Sequence, residues 1–179
     1  MDELTKYTAT ALALGFTAAV PFNCSIMECK PEIRALCTPQ KCQNYGKSWV
    51  CPPGCGDLEM CAEQISRFKR GILLQSKSIL EDSSDHELMV QLVERHNQRL
   101  EEFCAFIRSE HSDVLLLSTG GCGLCECCTY PDASCRKPEE RKGSLSAFGI
   151  DVGELCKRAG LDYTFVSGTL ILVGCVLID

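Results

Sequence analysis

Histidine, positive charge and nucleotide-binding motifs are what this sequence is short of. Its three histidines, His86, His96 and His111, are scattered. No Ser/His/Asp pattern is readable around them, so triad-type nucleophilic catalysis is unsupported. His86 and His96 fall in a long amphipathic stretch, where a solvated or core-edge place is expected. His111 lies just past that stretch and suits a C-terminal capping role. No pair of carboxylates stands out for acid–base chemistry. Neither the phosphate-cradling G-x-x-x-x-G-K-[ST] sequence nor G-x-G-x-x-G occurs, which leaves a nucleotide fold unsupported. Cysteines spaced C-x3-C-x2-C, the signature of enzymes that reductively cleave S-adenosylmethionine, are also missing.

Positive charge is scarce too: 18 Lys plus Arg stand against 24 Asp plus Glu, a formal net charge of −6. That balance argues against nucleic acid or an anionic membrane as partner. The one basic patch is Arg136, Lys137, Arg141 and Lys142, interrupted by Glu139 and Glu140. It reads as a solvated turn, or as a docking site or counter-charge for an anionic group nearby. No long apolar run exists: the one from Ala9 to Phe22 is broken by Thr10, Thr17 and Pro21, and is too short to span a membrane. The start, Met1-Asp2-Glu3-Leu4, has no basic region of the signal-peptide kind. A cytoplasmic location with reduced thiols is the expectation. Internal repeats and low-complexity stretches are absent.

Cysteine is what the chain has in excess, 15 in 179 residues. The number is odd and the chain is long enough to fold without staples, so a secreted disulfide scaffold is disfavoured. Seven cysteines lie at or before Cys61, seven at or after Cys122, and Cys104 stands between. The densest stretch runs from Gly120 to Pro138, with Cys122, Cys125 and Cys128 at every third position and Cys135 following. Overlapping Cys-x-x-Cys pairs can wrap one compact centre from a single loop, as in a [4Fe-4S] cubane. Structural zinc usually takes two separate knuckles, and here the two pairs share Cys125. Gly120, Gly121 and Gly123 would let the backbone approach and aim N–H groups at sulfur. A second constellation, Cys37-x4-Cys42-x8-Cys51-x3-Cys55, is stiffened by Pro39, Pro52, Pro53 and Gly54, with Cys61 a little further on. Tyr45 and Trp49, the only tryptophan, would exclude water beside a cluster or simply pack under the loop. Cys104 reads as a small core hydrophobe.

Apolar spacing predicts helices over Asp2–Leu14, around Pro31–Leu36, after an Asp57 N-cap, and from His86 to Ser109 behind Ser83-Ser84-Asp85. On the longest helix Met89, Val93, Leu100, Phe103 and Ile107 form one stripe. A further helix is expected from Ser144 through Phe148, continuing or restarting over Val152–Lys157 and stopping at Gly160. Strands are expected at Phe16–Phe22, Gly71–Gln75, Val114–Leu117, Tyr163–Val166 and Thr169–Leu177. Helices and strands mix without strict alternation. The fold class is therefore α+β: one domain over residues 1–179, with helices packed on an antiparallel or mixed sheet and two cysteine-rich metal-binding loops.

Two stretches carry a resemblance. One is Cys37-x4-Cys42-x2-Tyr45-Gly46-Lys47-Ser48-Trp49-x-Cys51-Pro52-Pro53-Gly54-Cys55-Gly56. The other is Cys122-x2-Cys125-x2-Cys128-Thr129-Tyr130-Pro131-Asp132-x2-Cys135-Arg136-x-Pro138. Together with Ser144-Leu145-x-Ala147-Phe148-Gly149 and the ending Cys175-Val176-Leu177-Ile178, they resemble an uncharacterised, cysteine-rich prokaryotic family labelled predicted metal-binding, a domain-of-unknown-function family. The resemblance implies metal binding, iron–sulfur in kind, in a small protein often found in anaerobes. It supplies neither an activity nor a fold.

The combined expectation is an iron–sulfur protein with two [4Fe-4S] clusters. Cys122, Cys125, Cys128 and Cys135 would hold one, and Cys37, Cys42, Cys51 and Cys55 the other, with Cys61 as a substitute. The role would be electron transfer with a redox partner protein, or a small cluster-dependent redox reaction. The alternatives are a cluster with an open iron acting on a small-molecule substrate or on sulfur, and a non-enzymatic zinc-binding structural or storage module. No role is read for Cys24, Cys29, Cys127, Cys156 or Cys175.

Overall fold

The computed structural model describes residues 2–82 and 84–179. The first helix, α1 (Glu3–Ala13), is capped by Asp2, whose side chain accepts from Thr5 N, and Gly15 at φ +93° turns the chain out of it. Strand β1 (Ala18–Asn23) follows, then a 3-10 turn (Cys24–Ile26) and the single helical turn α2 (Pro31–Arg34), with Pro31 in its first turn. After the first cysteine-rich segment comes α3 (Leu58–Ser66), where Asp57 accepts from Met60 N at 2.8 Å. Strand β2 (Arg70–Ile79) leads to the long helix α4 (His86–Arg108). Asp85 caps α4 through Leu88 N at 2.9 Å, Ser84 is tied instead to Asp82, and Ser83 lies outside the described residues. The rest is β3 (Leu115–Ser118), β4 (Gly143–Ser144), α5 (Val152–Ala159) and β5 (Thr169–Ile178).

The strands form one mixed sheet in the order β1-β2-β5-β3-β4. All neighbours are antiparallel except β3 and β4, and the longest ladder pairs Arg70 with Ile178 through to Ile79 with Thr169. This is the α+β architecture expected. Side chains alternate between faces along each strand. Ile72, Leu74, Leu116, Val176 and Ile178 point to one face and pack with Tyr7, Ala11, Leu100, Phe103, Cys104 and Ile107 of α1 and α4. Leu73, Leu117, Val173, Cys175 and Leu177 point to the other and pack with Cys61, Ile65, Phe148, Leu155 and Cys156. The sheet is thus buried on both faces, which is why β5 and the Gly71–Leu74 part of β2 read as apolar runs. Among the described residues no helix is long and apolar enough to cross a membrane.

Two elements and one residue differ from expectation. Tyr163–Val166 is not a strand: Phe165 and Val166 are exposed, and the Asp162 carboxylate accepts from Thr164 N and Thr164 Oγ1, folding the backbone on itself. Ser144–Phe148 is not a helix. Gly143 and Ser144 pair with β3, one turn follows (Phe148 N to Ser144 O, 3.0 Å), and Gly149 at φ +72° ends it. His111 does not act as a cap with its ring. Its Nε2 meets the Tyr7 hydroxyl at 2.8 Å, with Glu3 and Asp179 carboxylates at 3.5 and 3.6 Å, tying α1 to the chain's far end.

His96 is also unlike a solvated or core-edge residue: it is 1% exposed. Its Nδ1 lies 2.8 Å from Ser76 Oγ, and burial, reinforced by Arg99 and Lys142, lowers its pKa to about 4. Lys142 leaves the basic patch for the same reason of burial. It is 3% exposed and its Nζ donates to Glu101 at 2.6 Å, pinning the end of the second cysteine-rich segment to α4.

Candidate metal centre

The N-terminal cysteine segment hangs between α2 and α3, and its shape is set by local backbone hydrogen bonds. Cys42 N donates to Thr38 O (2.9 Å), Tyr45 N to Cys42 O (3.1 Å), Gly46 N to Pro52 O (2.8 Å) and Cys55 N to Cys51 O (3.1 Å). Gly46, at φ +68°, makes the reversal that lets residue 46 reach residue 52. The coil brings Cys37, Cys42, Cys51 and Cys55 close enough for their charges to interact. Burial is the first cause that raises the Cys37 thiol, and the neighbouring cysteines raise it further, Cys42 most.

Cys61, on α3, joins this group through Cys55. A hydrogen bond from the Cys55 thiol is the main cause that lowers the Cys61 pKa, and it raises that of Cys55 strongly. Arg34 sits over the pair. Its Nη1 is 3.7 Å from Cys61 Sγ and also donates to Ala147 O, while Nη2 donates to Gly56 O. One guanidinium therefore ties α2, the N-terminal segment, α3 and the 143–150 turn together. No sequence signal marks Arg34, because an arginine ending a helical turn is ordinary.

The C-terminal segment leaves β3 at Thr119, whose hydroxyl donates to Val173 O at 2.8 Å. Gly120 and Gly123 take positive φ, +87° and +70°. Thr129 Oγ1 donates to Ser134 O (2.9 Å), and Arg136 Nη1 to Cys127 O (2.8 Å). Cys122, Cys125, Cys128 and Cys135 all line one recess of about 150 Å³, with Gly121 and Gly123 beside them. Cys128 and Cys127 are exposed, the other three half-buried. Among the described residues no three Cys, His, Asp or Glu side chains are gathered tightly enough to hold a single ion.

The two segments meet at this recess, a juxtaposition that spacing alone does not reveal. Asn44, Lys47, Ser48, Trp49 and Val50 form its other wall. Trp49 Nε1 donates to Ala133 O at 3.1 Å, and its ring meets Tyr130 edge-on at 5.0 Å. A Cβ on Gly54 would stand 2.5 Å from Ser48 O and 2.9 Å from the Tyr130 ring, so only glycine allows this approach. The Cys51 thiol feels the charge of Cys122 across the seam. Burial raises its pKa, and Ser48 acts the other way. The Ser48 Oγ is itself buried without a hydrogen-bond partner of ordinary geometry.

The remaining cysteines sit apart. Burial raises Cys24 to about 12 and Cys104 and Cys156 to about 11, and it raises Cys175 strongly too. These four stay protonated and pack in the core. Cys29, half-buried near Cys61, is raised by burial as well.

Fold and site together describe a cysteine-rich α+β protein of the predicted metal-binding class. More particularly, the chain belongs to the family described as predicted metal-binding protein (DUF2284), whose model matches residues 21–178. No curated protein and no solved structure matches it.

Proposed function

We propose that this protein carries two [4Fe-4S] centres. Cys122, Cys125, Cys128 and Cys135 would hold one. Cys37, Cys42, Cys51 and Cys55 would hold the other, with Cys61 able to replace one of them. Such a group, when bound, supplies one-electron chemistry at a potential set by burial and hydrogen bonding. The observation that carries the reading is the recess itself: Cys122, Cys125, Cys128 and Cys135 all line one hollow. Overlapping Cys-x-x-Cys pairs in one loop suit a centre of several metal atoms, whereas structural zinc usually takes two separate knuckles.

The surroundings support an anionic occupant. No carboxylate lines the recess, and Gly121 and Gly123 stand beside the thiols with amide groups to offer. Ser48 holds a buried, unpartnered hydroxyl beside Cys51, ready to donate to a thiolate. Trp49 and Tyr130 limit water on the seam between the segments. The role would be electron exchange with a redox partner protein, or a small redox reaction. All fifteen cysteines are free thiols, which suits the reducing cytoplasm.

The exposure of Cys128 favours one second reading. With that thiol displaced, the C-terminal centre would keep an open metal position for a small-molecule substrate or sulfur. Anaerobic purification followed by iron, zinc and acid-labile sulfide analysis with electron paramagnetic resonance tests both. The expected result is sulfide with about eight irons per chain, and ligand-sensitive spectra if one iron is open. Stoichiometric zinc without sulfide, in protein made with iron available, would contradict both and leave a structural or storage module.

A further inference from the structure

The wall of the C-terminal recess is charged in one sense. The chain as a whole is acidic, net −6. Yet Lys47, Arg136, Lys137 and Arg141 all line the recess and no Asp or Glu does. Lys47 comes from the N-terminal segment and the other three from the far side of the seam. Lys137 is partly neutralised by Glu140 at 3.4 Å, and Arg136 is braced on the Cys127 carbonyl. Lys47 and Arg141 make no ion pair among the described residues. A four-thiolate centre, with a cubane or with zinc, carries a net charge of about −2. With Lys137 set against Glu140, Lys47, Arg136 and Arg141 remain as the cations of that wall, and of these Lys47 and Arg141 have no carboxylate beside them. Asn44 and Thr129 add neutral hydrogen-bonding groups to the same wall.

We propose that Lys47 and Arg141 hold a small molecule bearing at least two anionic oxygens, phosphate or carboxylate, at the mouth of the recess. This rests on the reading of the loop as a metal site and names the ligand class of that site. A planar guanidinium matches paired anionic oxygens, and an ammonium on a flexible stem adds a point charge.

The test is calorimetric titration of the metal-loaded protein, in chloride buffer at fixed ionic strength, with pyrophosphate and separately with citrate. Metal and sulfide are measured on the same samples. Saturable binding of at least one of the two anions is expected. Lys47→Gln and Arg141→Lys should each weaken it about tenfold, with metal content unchanged. Binding of pyrophosphate alone marks a phosphate ligand, and of citrate alone a carboxylate. No binding of either anion to the wild type, or equal binding by both variants, would overturn the proposal. So would loss of metal from both variants, because the cations would then serve the metal alone. Anion binding by a zinc-loaded or sulfide-free protein would uphold this proposal while refuting the iron–sulfur reading.

Discussion

The fifteen cysteines separate by surroundings. Cys24, Cys104, Cys156 and Cys175 are buried among apolar side chains and held as thiols, whereas Cys122, Cys125, Cys128 and Cys135 line the recess. Cys104→Ala should leave metal content unchanged and cost about 1 kcal/mol in denaturant unfolding, as truncation of a small packed side chain does. Loss of metal from that variant would show the division to be wrong. His96 gives a pH signature. Its folded pKa, about 4, lies below the ordinary 6.5, so between those values the unfolded chain binds a proton that the folded one refuses. The contribution is present above pH 6.5 and is lost as pH falls from there through 4, up to about 3 kcal/mol. His96→Gln should flatten that slope relative to wild type in urea unfolding at matched pH values. Equal slopes would mean that other groups carry the acid sensitivity.

At the scale of elements, what is local was legible and what depends on distant partners was not. Asp57 and Asp85 announce their helices because a cap needs only residues three positions away. Tyr163–Val166 has strand-like composition but no neighbouring strand, so Asp162 folds it back. His96 looks solvated on its helix until Ser76 of β2 closes over it. The cysteine loops were visible from spacing, yet their meeting at Trp49, Tyr130 and Gly54 depends on backbone placement about 80 residues apart. That seam can be weighed. Trp49→Phe removes the donor to Ala133 and should cost about 1 kcal/mol, and Trp49→Ala removes the ring contact also, for about 2 kcal/mol. Thermal unfolding of the metal-loaded protein checks both, and unchanged midpoints would mean that the loops do not depend on this contact.

At the scale of the molecule, both cysteine segments are coil, and the elements that carry the core lie before, between and after them. Neither segment has an apolar core of its own, so bound metal should contribute folding free energy to the whole chain. The Cys51 thiol feels the charge of Cys122 across the seam between them, so on the proposed reading each centre should depend on the other. The most direct measurement is metal per chain together with thermal unfolding for Cys125→Ser, and for Cys51→Ser as its mirror. The account predicts that each variant loses its own centre, holds the other more weakly than wild type does, and unfolds at a lower temperature throughout. If each variant instead keeps half the metal with wild-type affinity, and the rest of the chain unfolds as before, the two segments are independent modules and the account is contradicted.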